Sequence, residues 1–305
     1  MPDLYDIVIV GGGPAGLTAA TYARRSGKRV LVVEKSAFGG QITWSPRVEN
    51  FPGSVSLSGV ELGDSLLNQA MEQGAEVELD EVTSLEKLPD GAFRLTSLYE
   101  SEWLAKSVII ATGAKPRTMG IAREEEFTGN GVCFCAVCDG AFYKGLPVAV
   151  YGGGNSALQD ALLLSESCSQ VTLIHRRSSF RGEAKLIEAL QAKPNVAFLL
   201  NATVTALQGE AALTGIVLSL DGAPVELPVA GLFVAIGHEP DNAVFSSLLT
   251  LDEKGYAASG EACTTGTPGL FVAGDCRAKS VRQAVTACAD GAVAALAACS
   301  YIDSL

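Results

Sequence analysis

The chain opens with a short apolar run that passes directly into glycine. The run spans Ile7 to Val10, the segment GGGPAG follows, small residues recur through the next dozen positions, and a second apolar run, RVLVVE, completes the pattern. A short apolar run predicts a buried strand, and small residues at helical spacing predict a helix that packs closely. The pattern therefore predicts a βαβ unit with its glycines in the first turn.

The same pattern returns halfway along the chain. The segment LPVAVYGGGNSALQDALLL repeats the apolar run, the glycines and the helix, and QVTLIH supplies the second strand. SVIIATGAKPR follows the first unit and GLFVAIGHEPD follows the second, and each is an apolar strand that ends at a glycine turn. This order predicts an α/β fold of two Rossmann-like dinucleotide-binding domains, with one inserted into the other.

The predicted boundaries follow from this nesting. The discontinuous domain comprises 1–115 and 243–305, and the inserted domain comprises 116–242. A length of 305 residues suits two domains at roughly 150 residues each. Gly and Pro residues around both crossings are typical of hinges.

The first glycine turn has the spacing of a dinucleotide fingerprint, with Gly11, Gly13 and Gly16 between strand and helix. Glycines here let a pyrophosphate approach the backbone and the helix N-terminus. Glu34 ends the second strand, where a carboxylate accepts hydrogen bonds from ribose hydroxyls. Asp275, at the end of the late strand GLFVAGDC, can hold the ribityl or pyrophosphate region of a flavin dinucleotide. We therefore expect the discontinuous domain to bind a dinucleotide.

The second glycine turn, with Gly152, Gly154 and Ala157, differs at the acidic position. A basic cluster stands where the first copy has Glu34, and its members are His175, Arg176, Arg177 and Arg181. An acid would repel a ribose 2′-phosphate, whereas arginine forks bind it. The inserted domain is therefore predicted to bind NADPH rather than NADH.

The net charge and the N-terminal sequence restrict the kinds of binding partner and the cellular location that we expect. A net charge of −12 argues against nucleic acid and anionic membrane surfaces. The N-terminus has acids where a signal peptide has a basic segment, and no apolar run reaches the roughly 20 residues of a membrane span. The expected location is the reducing cytoplasm, where paired cysteines are more often redox-active or metal-binding than structural.

Three cysteines lie close together in GVCFCAVCDG. A metal site would need a fourth ligand and usually a second cysteine or histidine pair, which this chain does not offer. The chemistry favours a redox-active pair, Cys135 and Cys138, and an extended backbone would point Cys133 away from it. Asp139 can give or take the proton that thiol exchange requires, and its alternative role is a helix N-cap. Cys168, Cys263, Cys288 and Cys299 are expected to behave as small hydrophobic residues, and Cys276, next to Asp275, as a spectator.

The whole chain resembles the low-molecular-weight, bacterial-type thioredoxin reductases. The resemblance rests on GGGPAG, GGQITWSPRVENFPG, ATGA, CAVCDG, GGGNSA, HRRSSFR, AIGHEP, AGD and RQAVTACADGAVAA, which share the family's order and spacing. It implies a homodimer with FAD and NADPH as cofactors and thioredoxin or a thioredoxin-like protein as partner. It also implies electron flow from NADPH through FAD to the disulfide, and an inserted domain that rotates.

The resemblance also assigns residues to the cofactors. Residues expected along FAD are Gly11, Gly13, Pro14, Ala15, Gly16, Glu34, Gly40, Gln41, Asn50, Asp275, Arg282, Gln283 and Ala284. Residues expected along NADPH are Gly152, Gly154, Asn155, Ser156, Ala157, His175, Arg176, Arg177 and Arg181. Lys35, Ala111, Thr112, Gly113, Gly237 and Gly274 complete the expected cofactor-binding set. Gln159 and Asp160 depart from the family, which usually has two acids there.

Three other activities fit parts of this pattern. An oxidase could pass electrons from a small dithiol to oxygen through the same CxxC motif, but Asp139 and the arginines argue against it. A ferredoxin-NADP reductase-like protein would use no cysteines, and the intact motif argues against that activity. A flavin-bearing redox sensor would be a binding module rather than an enzyme, and nothing in the motifs favours it.

Overall fold

The protein is described by a computed structural model that covers residues 4–45 and 47–305. The strands are β1 (Leu4–Val10), β2 (Val30–Glu34), β3 (Glu76–Leu79), β4 (Val82–Lys87), β5 (Phe93–Ser97), β6 (Glu102–Ile110), β7 (Ala114–Pro116), β8 (Val132–Cys133), β9 (Pro147–Gly152), β10 (Gln170–Ile174), β11 (Val196–Leu199), β12 (Ala202–Gly209), β13 (Leu213–Leu220), β14 (Ala223–Leu227), β15 (Gly231–Ala235), β16 (His238–Pro240) and β17 (Leu270–Val272). The helices are α1 (Pro14–Arg25), α2 (Gly59–Glu72), α3 (Glu124–Phe127), α4 (Ala136–Asp139), α5 (Asn155–Ser165), α6 (Ala184–Gln191) and α7 (Ala284–Asp303). Short 3-10 helices span Gly40–Trp44, Gly140–Tyr143, Ala243–Phe245 and Gly274–Cys276.

The chain divides into a discontinuous unit, Met1–Lys115 with Glu239–Leu305, and an inserted unit, Pro116–His238. The second crossing lies between His238 and Glu239, a few residues before the boundary at 243 that the sequence pattern predicts. The reason is the side chain of Asn242, which is 1% exposed and donates to the carbonyl oxygens of Gly255 (2.9 Å) and Cys276 (2.7 Å). These bonds hold the segment before Ala243 in the discontinuous unit.

The discontinuous unit is built on a mixed sheet in the order β3-β2-β1-β6-β5-β4. Strands β1, β2, β3 and β6 run parallel, and β4 and β5 form an antiparallel meander with the first half of β6. The second half of β6 pairs in parallel with β17, which brings the C-terminal segment beside the first βαβ unit. The apolar faces of β1 and β2 are buried on both sides, as parallel strands require.

The inserted unit repeats this plan. Its parallel sheet has the order β11-β10-β9-β15-β8, and β12, β13 and β14 form a separate antiparallel sheet. Strand β9 lies between β10 and β15 just as β1 lies between β2 and β6. The predicted fold class is confirmed: an α/β chain with two Rossmann-like domains, one inserted into the other.

Helix α7 packs closely against α1. A Cβ atom on Gly291 would lie 2.1 Å from the carbonyl oxygen of Ala15, so only glycine permits this approach. Among the described residues, α7 is long and apolar enough to span a membrane by length and composition, with a mean hydropathy of 1.5, but core helices of soluble proteins pass the same test. Its small residues fill the contact with α1 in the core of the discontinuous unit.

We expect Gly291→Ala to destabilise the protein by about 1–3 kcal/mol, because the added methyl group must push α7 away from α1. The measurement is the thermal unfolding midpoint by circular dichroism. Gly266→Ala is the matched control, since a Cβ atom at that position meets no atom within 4 Å. Equal midpoints for the two variants would contradict the close packing of these helices.

Candidate dinucleotide and disulfide sites

The first glycine of each turn is fixed by the protein's own backbone. A Cβ atom on Gly11 would lie 2.3 Å from the carbonyl oxygen of Ala111, and one on Gly152 would lie 2.4 Å from that of Ala235. A Cβ atom on Gly16 would lie 1.9 Å from the carbonyl oxygen of Gly11. These positions need glycine whether or not a ligand is bound.

No contact within the described part of the chain requires glycine at the second position of each turn. Gly13 has φ −80° and Gly154 has φ −99°, which any residue adopts. A Cβ atom on Gly154 would meet no described atom within 4 Å, and one on Gly13 would come no closer than 4.0 Å, to the carbonyl oxygen of Gly39. The space above each of these glycines is therefore open to a ligand at the helix N-terminus.

That space suits a phosphate group. Helix α1 begins at Pro14 after the N-cap Gly13, and α5 begins at Asn155 after Gly154, and neither N-cap makes a side-chain capping bond. The first N–H groups of a helix seek an acceptor, and the helix dipole favours an anion there. Both turns therefore fit the pyrophosphate of a dinucleotide. Ala15 and Ala157 are buried behind the turns, and Ser156 is exposed at the start of α5.

Glu34 lies at the end of β2 beside the first turn, 8% exposed. Its Oε2 accepts the N–H of Gly12 at 2.7 Å, and its Oε1 accepts the N–H of Ser36 at 2.9 Å. The carboxylate thus braces the glycine turn as well as standing at the expected ribose position. The neighbouring Lys35 forms ion pairs with Asp241 and, at 3.6 Å, with Glu81.

The remaining residues expected along FAD come together in the discontinuous unit. Gln41, in the 3-10 helix that begins at Gly40, donates to the carbonyl oxygen of Ala114 at 3.1 Å and lies 3.9 Å from where a Cβ atom of Gly113 would be. Asn50 donates to the Gln283 side chain at 3.1 Å, directly before Ala284 begins α7. Thr112 bonds to Asn242 at 3.4 Å.

Two polar atoms in this region are buried without a hydrogen-bond partner in the described part of the chain: Asp275 Oδ1 and Arg282 Nε. Asp275 follows Gly274 at the end of β17, and burial raises the pKa of its carboxyl, with Lys279 Nζ 3.9 Å away. Buried polar atoms are normally satisfied, so unpaired ones indicate a ligand. A flavin dinucleotide with ribityl hydroxyls and phosphates fits this pair.

The basic cluster of the inserted unit contains two kinds of residue. Arg176, Arg177 and Arg181 are exposed, and the N–H of Arg181 donates to the carbonyl oxygen of Gly153 at 2.8 Å, which holds the arginine loop against the glycine turn. Asn155 strengthens this arrangement, since it exchanges two 2.8 Å hydrogen bonds with Glu183. The backbone of Arg181 therefore lies at the turn, and Arg176 and Arg177 follow His175 at the end of β10. Gly237 lies after β15, with φ 117°.

His175 differs from the arginines because it is buried, at 4% exposed. Its ring lies over Gly153, where a Cβ atom would come within 2.2 Å of it, and it stacks on Phe180 at 5.5 Å between centroids. Burial, followed by the charges of Arg181, Arg177 and Arg176, lowers its pKa, so the ring is neutral at pH 7. The sequence grouped His175 with the cations, but the arginines carry the positive charge.

Cys135 and Cys138 form a disulfide, with a Cα–Cα distance of 5.3 Å. Cys135 caps the N-terminus of α4, and its Sγ accepts the N–H of Cys138 at 3.2 Å. Cys133 is free and buried in β8, so the pairing is the one predicted from the motif. Within the described residues, no group of His, Cys, Asp or Glu side chains could hold a metal ion.

Asp139 follows the disulfide at the end of α4 and stands at the N-cap position of the 3-10 helix Gly140–Tyr143, where its side chain makes no capping hydrogen bond. Burial raises the pKa of its carboxyl to about 6, although a hydrogen bond with the Cys133 thiol opposes the shift. A group with a pKa near neutrality both gives and takes protons efficiently. Asp160, on α5, has a pKa that burial likewise raises to about 6.

Two residues of this site were missed by the motif analysis. The Cys133 Sγ lies 3.3 Å from the Tyr143 hydroxyl oxygen. A half-buried tyrosine four residues after an acid carries no recognisable motif. The contact depends on how β8 pairs with β15, which the local sequence does not reveal.

Residues 5–291 match the family model of the pyridine nucleotide-disulphide oxidoreductases. The chain belongs to this family. Its curated relatives include a thioredoxin reductase of Listeria monocytogenes, 39% identical over 99% of this chain and 95% of the relative, and one of Treponema pallidum, 41% identical over 99% and 98%. Among solved structures, the thioredoxin reductase of Streptococcus pyogenes matches with a TM-score of 0.94 at 34% identity over the full length of both chains, and that of Giardia duodenalis with 0.91 at 32%, over 98% of this chain and 99% of that one.

Family membership agrees with the chemistry of the two turns and the disulfide. A pyridine nucleotide and a flavin supply and relay electrons in pairs, which is what reduction of one disulfide consumes. Cys276, which follows Asp275, is fully buried, and its thiol donates to the carbonyl oxygens of Ile110 and Ala273.

We expect Gly154→Ala to weaken binding of NADP⁺ at least tenfold, because the methyl group occupies the space over the start of α5. The folded state should lose at most about 1 kcal/mol, the cost of an alanine N-cap. Isothermal titration calorimetry gives the dissociation constant. Gly152→Ala is the contrasting control, since its methyl group meets the Ala235 carbonyl and should lower the unfolding midpoint. Unchanged NADP⁺ affinity in Gly154→Ala would contradict this assignment.

The raised pKa of Asp139 predicts a pH-dependent cost to stability. Between its ordinary value of 3.8 and about 6 the folded chain binds more protons than the unfolded chain, so the contribution falls as pH rises through that window. Asp139→Asn should therefore be more stable than the parent by about 2 kcal/mol at pH 7.5, and equal to it below pH 4. Urea unfolding at both pH values measures this difference. Asp64→Asn, exposed on α2, is the control, and an equal gain there would argue against burial as the cause.

Proposed function

We propose that the protein is an NADPH-dependent reductase of thioredoxin or of a thioredoxin-like protein, with FAD as its bound cofactor. The observation that carries the proposal is the Cys135–Cys138 disulfide followed by the half-buried acid Asp139. The same unit contains the glycine turn with its three arginines, so the inserted domain offers both a pyridine-nucleotide site and a thiol centre. Relatives that match nearly the whole chain are thioredoxin reductases.

The discontinuous unit would hold FAD. Gly13 leaves room for the pyrophosphate, Glu34 stands at the ribose, and Asp275 and Arg282 offer unpaired polar atoms to the rest of the cofactor. When bound, the flavin takes up two electrons from the nicotinamide and supplies them to a disulfide.

NADPH would bind at the second turn. Arg176, Arg177 and Arg181 give charge-assisted hydrogen bonds to a 2′-phosphate, each worth about 1.5–3 kcal/mol before screening. NADH lacks that phosphate and forgoes these bonds. The neutral His175 ring would support the turn, because it packs against Gly153. We therefore propose a strong preference for NADPH.

The dithiol would pass its electrons on by exchange. The Cys135 thiolate attacks one sulfur of the partner disulfide, a mixed disulfide forms, and the partner's other sulfur leaves as a thiolate. The Cys138 thiolate then attacks Cys135 Sγ, which re-forms the internal disulfide and releases the partner as a dithiol. Asp139 would accept a proton from the Cys138 thiol and return it to a departing sulfur.

We further propose a homodimer in the cytoplasm. Val285, Val293 and Leu296 lie on one side of α7 and are 39–53% exposed, an apolar stripe that a second copy could cover. The thiol chemistry requires a reducing compartment.

Purified protein reconstituted with FAD should oxidise NADPH only when a bacterial thioredoxin is added, with NADH poorer by at least a hundredfold in kcat/KM. Cys138→Ser should trap thioredoxin as a mixed disulfide through Cys135, visible on a non-reducing gel, and Cys135→Ser should not. Cys168→Ser, buried in the same unit, is the control.

Two results would contradict the proposal. NADPH oxidation that thioredoxin does not stimulate would show a different acceptor. Trapping in Cys135→Ser but not in Cys138→Ser would show that the two cysteines have the opposite roles.

A further inference from the structure

A buried ionic cluster lies beside Asp275 in the discontinuous unit. Asp290, on α7, accepts hydrogen bonds from Arg277 Nε at 2.8 Å, Arg277 Nη2 at 2.7 Å and Lys279 Nζ at 2.9 Å. The three side chains of this cluster are only 8–11% exposed. We propose that Lys279, anchored by Asp290, is a positioning residue that holds Asp275 as a free acceptor for a hydroxyl group of the ribityl chain of FAD. The inference rests on the proposed binding of FAD.

Asp290 also fixes the backbone of the turn that carries Asp275. Its Oδ2 accepts the N–H of Gly274 at 3.0 Å. Gly274 has φ 78°, and a Cβ atom there would lie 2.9 Å from the Cβ atom of Ala15 on α1. The short 3-10 helix that begins at Gly274 is therefore held between α1, against which it packs, and α7, to which it is hydrogen-bonded.

The cluster has one more positive charge than its own acid balances. Arg277 and Lys279 are cations, and Asp290 is a single anion. Burial raises the pKa of Asp290, but the hydrogen bonds from Arg277 and Lys279 outweigh burial and hold the pKa below its usual value. Buried charges need partners of opposite sign. The carboxyl of Asp275, whose Oδ1 lies 3.9 Å from Lys279 Nζ, supplies the balancing negative charge.

Lys279 provides its charge without occupying the Asp275 carboxyl. The distance of 3.9 Å is longer than a hydrogen bond, and no described residue donates a hydrogen bond to Asp275 Oδ1. Hydrogen bonds to Asp290 and, at 3.2 Å, to Thr286 Oγ1 hold the ammonium group in place. An ionised carboxylate only accepts hydrogen bonds, so it selects a hydroxyl group and repels a phosphate. The ribityl hydroxyls of FAD are therefore the matching ligand groups.

The other charged groups near Asp275 do not replace Lys279. Burial raises the pKa of Asp275, and the charge of Lys279 opposes this effect more than the charges of Arg282 and Arg277 do. The charge of Asp290 acts in the same direction as burial. Lys279 is therefore the side chain on which the ionised form of Asp275 depends most.

The first test is a titration of Asp275 in the flavin-free full-length protein, by ¹³C NMR of labelled aspartate carboxyls assigned with Asp275→Asn. Lys279→Met should raise the pKa of Asp275, because it removes the nearby cation. Lys279→Gln keeps a donor for Asp290 but has no charge, and should also raise it. Lys106→Met is the matched control, since it removes a lysine that pairs with Asp6 at 2.8 Å in the same unit, and Asp275 should titrate as in the parent. An equal pKa of Asp275 in parent and both Lys279 variants would overturn the inference.

The second test measures the dissociation constant of FAD from the change in its fluorescence on addition to the flavin-free protein. Lys279→Met should weaken FAD binding about tenfold, through loss of a hydrogen bond to a charged acceptor. Asp290→Asn releases the ammonium group from its anchor and should have a similar effect. An FAD analogue with hydrogens in place of the ribityl hydroxyls should bind equally to Lys279→Met and to the parent. Equal weakening of FAD and analogue would instead show a purely structural role for Lys279, and would overturn the inference.

Failure of the inference and failure of the proposed function give different results. Unchanged FAD affinity in Lys279→Met would overturn the inference and leave the proposed function intact. A parent protein that binds no FAD would overturn the proposed cofactor, and with it the role of Asp275 toward a ribityl chain. The titration needs no FAD, so it decides independently whether Lys279 acts on Asp275.

Discussion

Two backbone contacts determine where the functional groups of this protein lie. The first glycine of each turn passes so close to the end of the neighbouring strand that a Cβ atom would lie 2.3 Å from the Ala111 carbonyl oxygen in one unit and 2.4 Å from that of Ala235 in the other. Because glycine allows each turn to pass this close to the sheet, α1 and α5 both begin directly at its edge. Their open N-termini, and the second glycines that leave room above them, follow from this single constraint.

The two units share this backbone arrangement but differ in the side chain at the end of the second strand, which is Glu34 in one and His175 in the other. In the first, Glu34 accepts the N–H of Gly12, so a negative group lies beside the glycine turn. In the second, the neutral ring of His175 lies against Gly153, and the backbone of Arg181 reaches the same glycine. The exchange removes a negative charge and brings the arginines near the same position. A small change on a repeated fold thereby separates two kinds of dinucleotide site.

The sequence predicted what depends on local pattern. The glycine spacing, the strand and helix order and the Cys135–Cys138 pair are all encoded within a few dozen residues, and each is present in the structure. What it could not predict depends on distant packing. The burial that makes His175 neutral comes from Gly153 and Phe180, and the contact of Cys133 with Tyr143 comes from the register of β8 on β15. Residue type alone cannot report a proton affinity that burial sets.

The chain also carries six cysteines outside the disulfide, and all except Cys288 are buried. Burial raises the pKa of each of these thiols, to about 11 for Cys263 and Cys276. Since the thiolate is the form that reacts, these sulfurs are poor targets for peroxides and poor competitors for a neighbouring disulfide. The free thiols of this protein therefore react slowly with oxidants and with disulfides. Oxidation is confined to the Cys135–Cys138 pair, whose disulfide can be reduced again.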